Sequence, residues 1–128
     1  MNASVICLRA AILILIAGLA IGLRMGMTDD HSLMPAHAHT NLAGFVILSL
    51  YGLTYHAFPA MGAHKLARIQ AWGAIVGAVV MSTGLVFLYG TGDQSYEPVV
   101  VIGSLIFFAG TLLFAWILFS GTRGSVAA

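Results

Sequence analysis

Three histidines, His31, His37 and His39, fall within nine positions of one another, and Met25, Met27, Asp29, Asp30 and Met34 lie among or just before them. Imidazole, thioether and carboxylate groups bind transition metals. Methionine favours cuprous copper, and nitrogen and oxygen donors favour zinc or cupric copper. The spacing matches no fixed zinc motif. In a helical turn His37 and His39 project nearly opposite ways, whereas an extended backbone would put both on one side. A single imidazole is enough for a different chemistry, because haem iron accepts a neutral histidine nitrogen as an axial ligand. Either His39 or His37 could serve, with Ala43, Gly44 and Phe45 following as an apolar groove for the ring. No Cys-x-x-Cys-His motif occurs, so the expected haem is b-type and not covalently attached.

Other reactive groups are sparse. His56 lies about 25 Å from His39 along a straight helix, too far to share one metal. His64, beside Lys65, reads as a loop histidine, and the lone Cys7 as a small buried hydrophobe. Tyr51 and Tyr55 are four apart and can pack together or approach a bound ring, and Trp72, Tyr89, Tyr96 and Trp116 suit interfacial anchoring. No Asp or Glu falls inside an apolar segment, which argues against a carboxylate proton relay. There is no Ser-His-Asp order, paired-acid site or phosphate-cradling glycine loop.

These groups sit on elements built for lipid. Of 128 residues, 60% are apolar and 7% charged, too few charges to cover a water-soluble surface. Five basic residues without a cluster exclude a nucleic-acid surface. Four apolar segments, at about 5–23, 35–58, 69–89 and 99–119, have the length that crosses a bilayer. The expected fold is therefore an all-α, integral membrane four-helix bundle forming a single domain over 1–128. The first segment reads as an anchor, since no small-x-small cleavage site precedes the polar stretch. Pro35 suits the first turn of the second helix.

Arg9, Lys65, Arg68 and Arg123 fall at the two ends and the middle loop, while Asp29, Asp30, Asp93 and Glu97 occupy the other loops, with Arg24 the basic exception. The positive-inside rule then places both termini in the cytoplasm and His31, His37 and His39 near the periplasmic face. Gly44, Gly52, Gly73, Gly77, Gly103 and Gly110 offer small steps for close helix approach, and Gly73-x-x-x-Gly77 has the familiar spacing. On a 100° helical wheel Asn41, Ser49, Gly52 and His56 form a polar stripe about 80° wide, expected to face protein.

The run MPAHAHTNLAGFVILSLYGLTYHAFP, followed after a basic loop by LARIQAWGAIVGAVVMSTGLVF, resembles part of the catalytic subunit of haem-copper oxidases, especially the cytochrome cbb3 type. It spans Met34 to Phe87, under half the chain. In that family the second helix opens near the outer face with a histidine that ligates low-spin haem b. The family's opening is similar to His39-Thr40-Asn41, so the resemblance carries the ligand role to His39, with His37 two residues away as the alternative. The later helices with the remaining haem and copper ligands are absent, so a complete oxidase is not expected. The family scaffold consists of three pseudo-symmetric groups of four helices. A homo-oligomer, dimer or trimer, could therefore pair histidines across an interface. The expectation is a haem-binding protein of a bacterial inner membrane, with a possible redox partner, acting in electron transfer, haem handling or sensing. Two alternatives remain: a copper or zinc site at His31, His37 and His39, for metal handling or oxidase assembly, and a structural subunit or small transporter.

Overall fold

The computed structural model describes residues 1–122, so Arg123 lies outside the described residues. The chain is all-α. Helix α1 is Ala3–Thr28, followed by a rod made of α2 (Met34–Asn41), a π-helical segment (Leu42–Ile47) and α3 (Leu48–Ala57). A short α4 (Pro59–Gly62) leads to α5 (Lys65–Thr91), and a 3-10 turn (Gln94–Tyr96) to α6 (Glu97–Gly121). Three stretches, Ala3–Thr28, Lys65–Thr91 and Gln94–Gly121, are each apolar and long enough to cross a membrane. The architecture is consistent with a multi-span membrane bundle. Half of the most apolar window of α5 is buried, against 22% for α1 and 17% for α6, so α5 is the central helix.

The helices begin and end where polar side chains satisfy their free backbone groups. Asn2 accepts the N–H of Val5 at 2.9 Å to start α1. His64, expected as a plain loop residue, caps α5 by accepting the N–H of Leu66 at 3.1 Å. Both long helices that end in a reversal, α1 and α5, do so through a left-handed residue, Asp29 (φ 55°) and Gly92 (φ 73°).

Those two reversals are built alike. Thr28 Oγ1 donates to the Arg24 carbonyl and Thr91 Oγ1 to the Phe87 carbonyl. The N–H groups of Asp30 and Asp93 donate to these hydroxyls, and the carboxylates of Asp30 and Asp93 accept from the N–H groups of Ser32 and Ser95. These bonds hold both exposed carboxyls below their ordinary pKa. A proline follows each turn, Pro35 and Pro98, near the start of the next helix. The pattern Thr-x-Asp-x-Ser-x-x-Pro thus occurs twice, and one offset carries Thr28 to Thr91 and Pro35 to Pro98. The protein is a tandem of two helical hairpins.

The same offset relates their contacts. Ile14 fills the space beside Gly44, and at the equivalent positions Phe107 fills the space beside Gly77. Thr40 with Asn41 covers Gly18, while Met81 covers Gly103. The small residue has changed sides, yet the pair of contacting positions is kept. In the α5–α6 pair a Cβ on Gly77 or Gly84 would meet the backbone of Phe107 or Val100, at 2.5 and 2.9 Å. Gly73 has nothing within 4 Å. The close-packed steps are therefore Gly77 with Gly84, and Gly103 with Gly110, not the Gly73–Gly77 pair.

Polar pins tie α3, α5 and α6 together. Tyr55 Oη donates to Gln70 Oε1 at 2.8 Å, Gln70 Nε2 donates to the Gly110 carbonyl at 3.3 Å, and Tyr51 and Thr111 hydroxyls bond at 2.8 Å. Both tyrosine rings pack on Phe114. Cys7 is buried and free.

Gly103→Ala is expected to cost about 1–3 kcal/mol, because its methyl meets the Met81 backbone, which cannot rotate aside. Gly73→Ala should be neutral or stabilising by up to about 1 kcal/mol. Unfolding of the two variants in mixed detergent micelles checks the contrast.

Candidate functional site

The site lies at the end of the bundle that carries the two reversals, where α2 lies against α1. His37 and His39 stand on one helical turn and project to different sides, as helical geometry requires. The half-buried His37 ring crosses to α1, and its Nδ1 lies 2.8 Å from the Gly18 carbonyl. A carbonyl can only accept, so Nδ1 carries a proton, and in the neutral ring Nε2 is left as an acceptor. His39 is exposed and its Nδ1 lies 2.8 Å from the Pro35 carbonyl of its own helix, giving the same tautomer with Nε2 outward. Both rings are thus fixed in the state in which Nε2 can ligate iron or another metal.

Asn41 completes the contact. Its Nδ2 is 3.3 Å from both ring nitrogens of His37. An atom equidistant from both, at that range, cannot lie in the ring plane without striking the Cε1–H between them, so the amide nitrogen sits over the ring face. Asn41 Oδ1 rests on Gly18 and is buried without a hydrogen-bond partner.

A row of glycines at four-residue spacing, Gly18, Gly22 and Gly26, forms the α1 side. Asn41 fills the first step and the His37 ring the second; a Cβ on Gly22 would come within 2.7 Å of Cε1. The third step has nothing within 4 Å. A groove of about 490 Å³ continues there, lined by Leu19, Gly22, Leu23, Gly26, Met27 and His37. This glycine row is written in the sequence as Gly-x-x-x-Gly-x-x-x-Gly, at the same four-residue spacing as Gly73 and Gly77.

The other anticipated residues separate. His31 is exposed and lies 4.0 Å from the Asp29 carboxylate. Among the described residues no three His, Cys, Asp or Glu side chains gather into a group able to hold a metal ion. Ala43, Gly44 and Phe45 do not form one open groove: Ala43 is buried with Ala36, Met81 and Leu85, Gly44 is covered by Ile14, and Phe45 packs against the main core. Of the polar stripe, Asn41 and Gly52 face α1, and exposed His56 lines a separate cavity with Asn2 and Ser4. The π-helical segment after Asn41, which no sequence pattern announced, changes the helical phase between the two halves of the rod.

The second hairpin shows which residues the scaffold needs. The equivalents of His37 and His39 are Val100 and Ile102, that of Asn41 is Ser104, and those of Gly18, Gly22 and Gly26 are Met81, Leu85 and Tyr89. The reversal and the helix pairing form without any of the site's polar groups. Ile102 is 54% exposed on an apolar surface, whereas the same position in the first hairpin carries the exposed His39.

The fold and the site together define an all-α membrane protein of several long apolar helices, with two acceptor histidines on one turn. Comparison with protein-family models, curated proteins and solved structures finds no match to this chain.

Replacing His37 by Val and His39 by Ile, the residues of the second hairpin, is expected to change unfolding free energy by no more than about 1 kcal/mol, the worth of the lost Gly18 hydrogen bond. Unfolding in micelles, with helicity by circular dichroism, measures it.

Proposed function

We propose that the protein is a haem-binding membrane protein of the haem-copper oxidase subunit I type, acting in electron transfer, haem handling or sensing. In this reading the rod from Met34 to Ala57 is a fourth span, in three segments of 8, 6 and 10 residues. Both termini face the cytoplasm of a bacterial inner membrane. The basic residues Arg9, Lys65 and Arg68 at one end of the bundle, against Asp29, Asp30, Asp93 and Glu97 at the other with Arg24 the single basic exception, support that orientation.

The observation that carries the reading is His39: an exposed imidazole whose Nδ1 is held by the Pro35 carbonyl, at a position where the second hairpin has isoleucine. Polar groups on membrane helices that the fold does not require are functional by default. Haem supplies four equatorial nitrogens of its own, so the protein need contribute only axial donors. A backbone carbonyl on Nδ1–H makes Nε2 a stronger donor to iron and fixes the ring's direction. One chain offers one such imidazole on that face. A second copy related by a two-fold axis would bring a second His39 to the opposite side of the ring, which favours a homodimer over a trimer. A copper or zinc site would need its further ligands from outside one chain, since His31, His37 and His39 are not gathered together.

Full-length protein purified gently after expression with haem should show a near-stoichiometric chromophore with sharp bands on reduction by dithionite. His39→Ala is expected to remove it and His64→Ala to retain it. A folded, colourless sample after haem reconstitution would overturn the reading, as would a chromophore that survives replacement of both His37 and His39. Copper or zinc in the colourless sample, lost with His31→Ala, would assign the metal alternative.

A further inference from the structure

At the end of the bundle away from His37 and His39, a cavity of about 280 Å³ lies between the first turn of α1 and the corner where α3 meets α4. We propose that it is a binding site for a phosphate group, carried by a phospholipid headgroup or by a soluble phosphate.

The α1 wall, formed by Asn2 and Ser4, is made of donors. Asn2 Oδ1 receives the Val5 N–H and the Asn2 carbonyl the Ile6 N–H, so the free end of that side chain is Nδ2, which only donates. The N–H groups of Ala3 and Ser4 open the helix, where no carbonyl of an earlier turn can accept them. Together with the aligned peptide dipoles of a 26-residue helix, they favour an anion.

The same wall holds an unpaired buried hydroxyl. Ser4 is only 5% exposed, and among the described residues its hydroxyl has no hydrogen-bond partner. Buried hydroxyls are nearly always paired, so one that lines a cavity calls for its partner inside that cavity. The equivalent of Ser4 in the second hairpin is Ala67, which is fully buried. Packing at this place needs a methyl and no hydroxyl. Exposed His56 lines the cavity from α3, and its equivalent is the exposed Phe119, so helix pairing does not require this polar group either.

The facing wall leaves the room open. Tyr55 turns its ring away to Gln70 and Phe114, and Gly62 and Ala63 have little side chain to offer. The space is several times the share of about 30 Å³ that one water takes in the liquid. Charge sets the sign of the occupant. Arg9, Lys65 and Arg68 lie at this end and Asp29, Asp30, Asp93 and Glu97 at the other, so no carboxylate competes for the donors. A carboxylate has two oxygens in one plane, whereas phosphate spreads its oxygens in a tetrahedron. That spread suits an amide, a hydroxyl and a backbone N–H set around one helical turn.

The proposal is independent of haem. Its test uses full-length 15N-labelled protein in dodecyl maltoside micelles, in a buffer without phosphate. The backbone amides of Ala3 and Ser4 and the side-chain amide of Asn2 are followed by NMR. Dihexanoylphosphatidylglycerol and inorganic phosphate are titrated separately, with dihexanoylglycerol and sodium chloride as matched controls. At least one phosphate compound should shift these resonances saturably, and neither control should. Tighter binding of the lipid assigns the headgroup, and equal or tighter binding of inorganic phosphate assigns the soluble ion. Asn2→Asp keeps the acceptor that caps α1 and puts a negative charge in the cavity, so it should weaken binding at least tenfold with helicity unchanged. Ser4→Ala, the residue of the second hairpin, should weaken it at least threefold, whereas Arg24→Gln at the other end should not. No saturable shift with either phosphate compound, the same shift with a control, or wild-type affinity in Asn2→Asp or Ser4→Ala overturns the proposal.

Discussion

Lipid tails are as apolar as leucine, so no hydrophobic force drives these helices together, and contact itself must hold them. Everything else in the structure follows from how close the backbones come. At α5 and α6 the approach is so near that a single methyl on Gly77 or Gly103 would strike the facing backbone. Dispersion over many such contacts replaces the drive that water would supply. Few polar pins are then needed. Tyr55, Gln70 and the Gly110 carbonyl form one chain of bonds in the core, and Tyr51 with Thr111 another. They tie α5 to α3 and α6, and α3 to α6.

The two hairpins meet this constraint with the same geometry and different letters. Position pairs are retained while the glycine moves from one partner to the other, from Gly44 under Ile14 to Gly77 under Phe107. What matters at such a step is the summed volume of the two residues, and either one can be the small member. The turns are less free. A left-handed residue must be followed by an aspartate whose carboxylate receives an N–H two residues on, and both turns keep the threonine that receives the aspartate's own N–H.

Hydropathy made the helices legible, because a bilayer demands about twenty apolar residues in a row. Their ends extend past the apolar runs, to Thr28 and Thr91, since the boundaries are set by capping and turn chemistry that hydropathy does not record. Divergence of His37 and His39 was implied for a helical turn, and Pro35 supplied that turn. The tandem was equally present in the letters, as Thr-x-Asp-x-Ser-x-x-Pro twice, but it shows only when the chain is laid against itself. The π-helical segment was not legible: Leu42–Ile47 has an ordinary helical composition, and no residue in it marks the change from i+4 to i+5 hydrogen bonding. Nor could sequence distinguish a glycine that is tightly covered, such as Gly77, from one that is open, such as Gly73.

The chemistry of the site is bound to the same economy of volume. The Gly18 carbonyl already accepts a helical N–H, and its second lone pair points outward, where the side chain of residue 22 would normally lie over it. Glycine at that position leaves the carbonyl uncovered, and the His37 ring takes the space. In the second hairpin Leu85 stands at the corresponding place, and Val100 opposite has nothing to donate. A helix step that lets two backbones approach and one that lets an imidazole reach a backbone oxygen are the same device. The first hairpin spends its glycine on orienting a histidine, and that orientation, proton on Nδ1 and lone pair on Nε2, decides what His37 can bind.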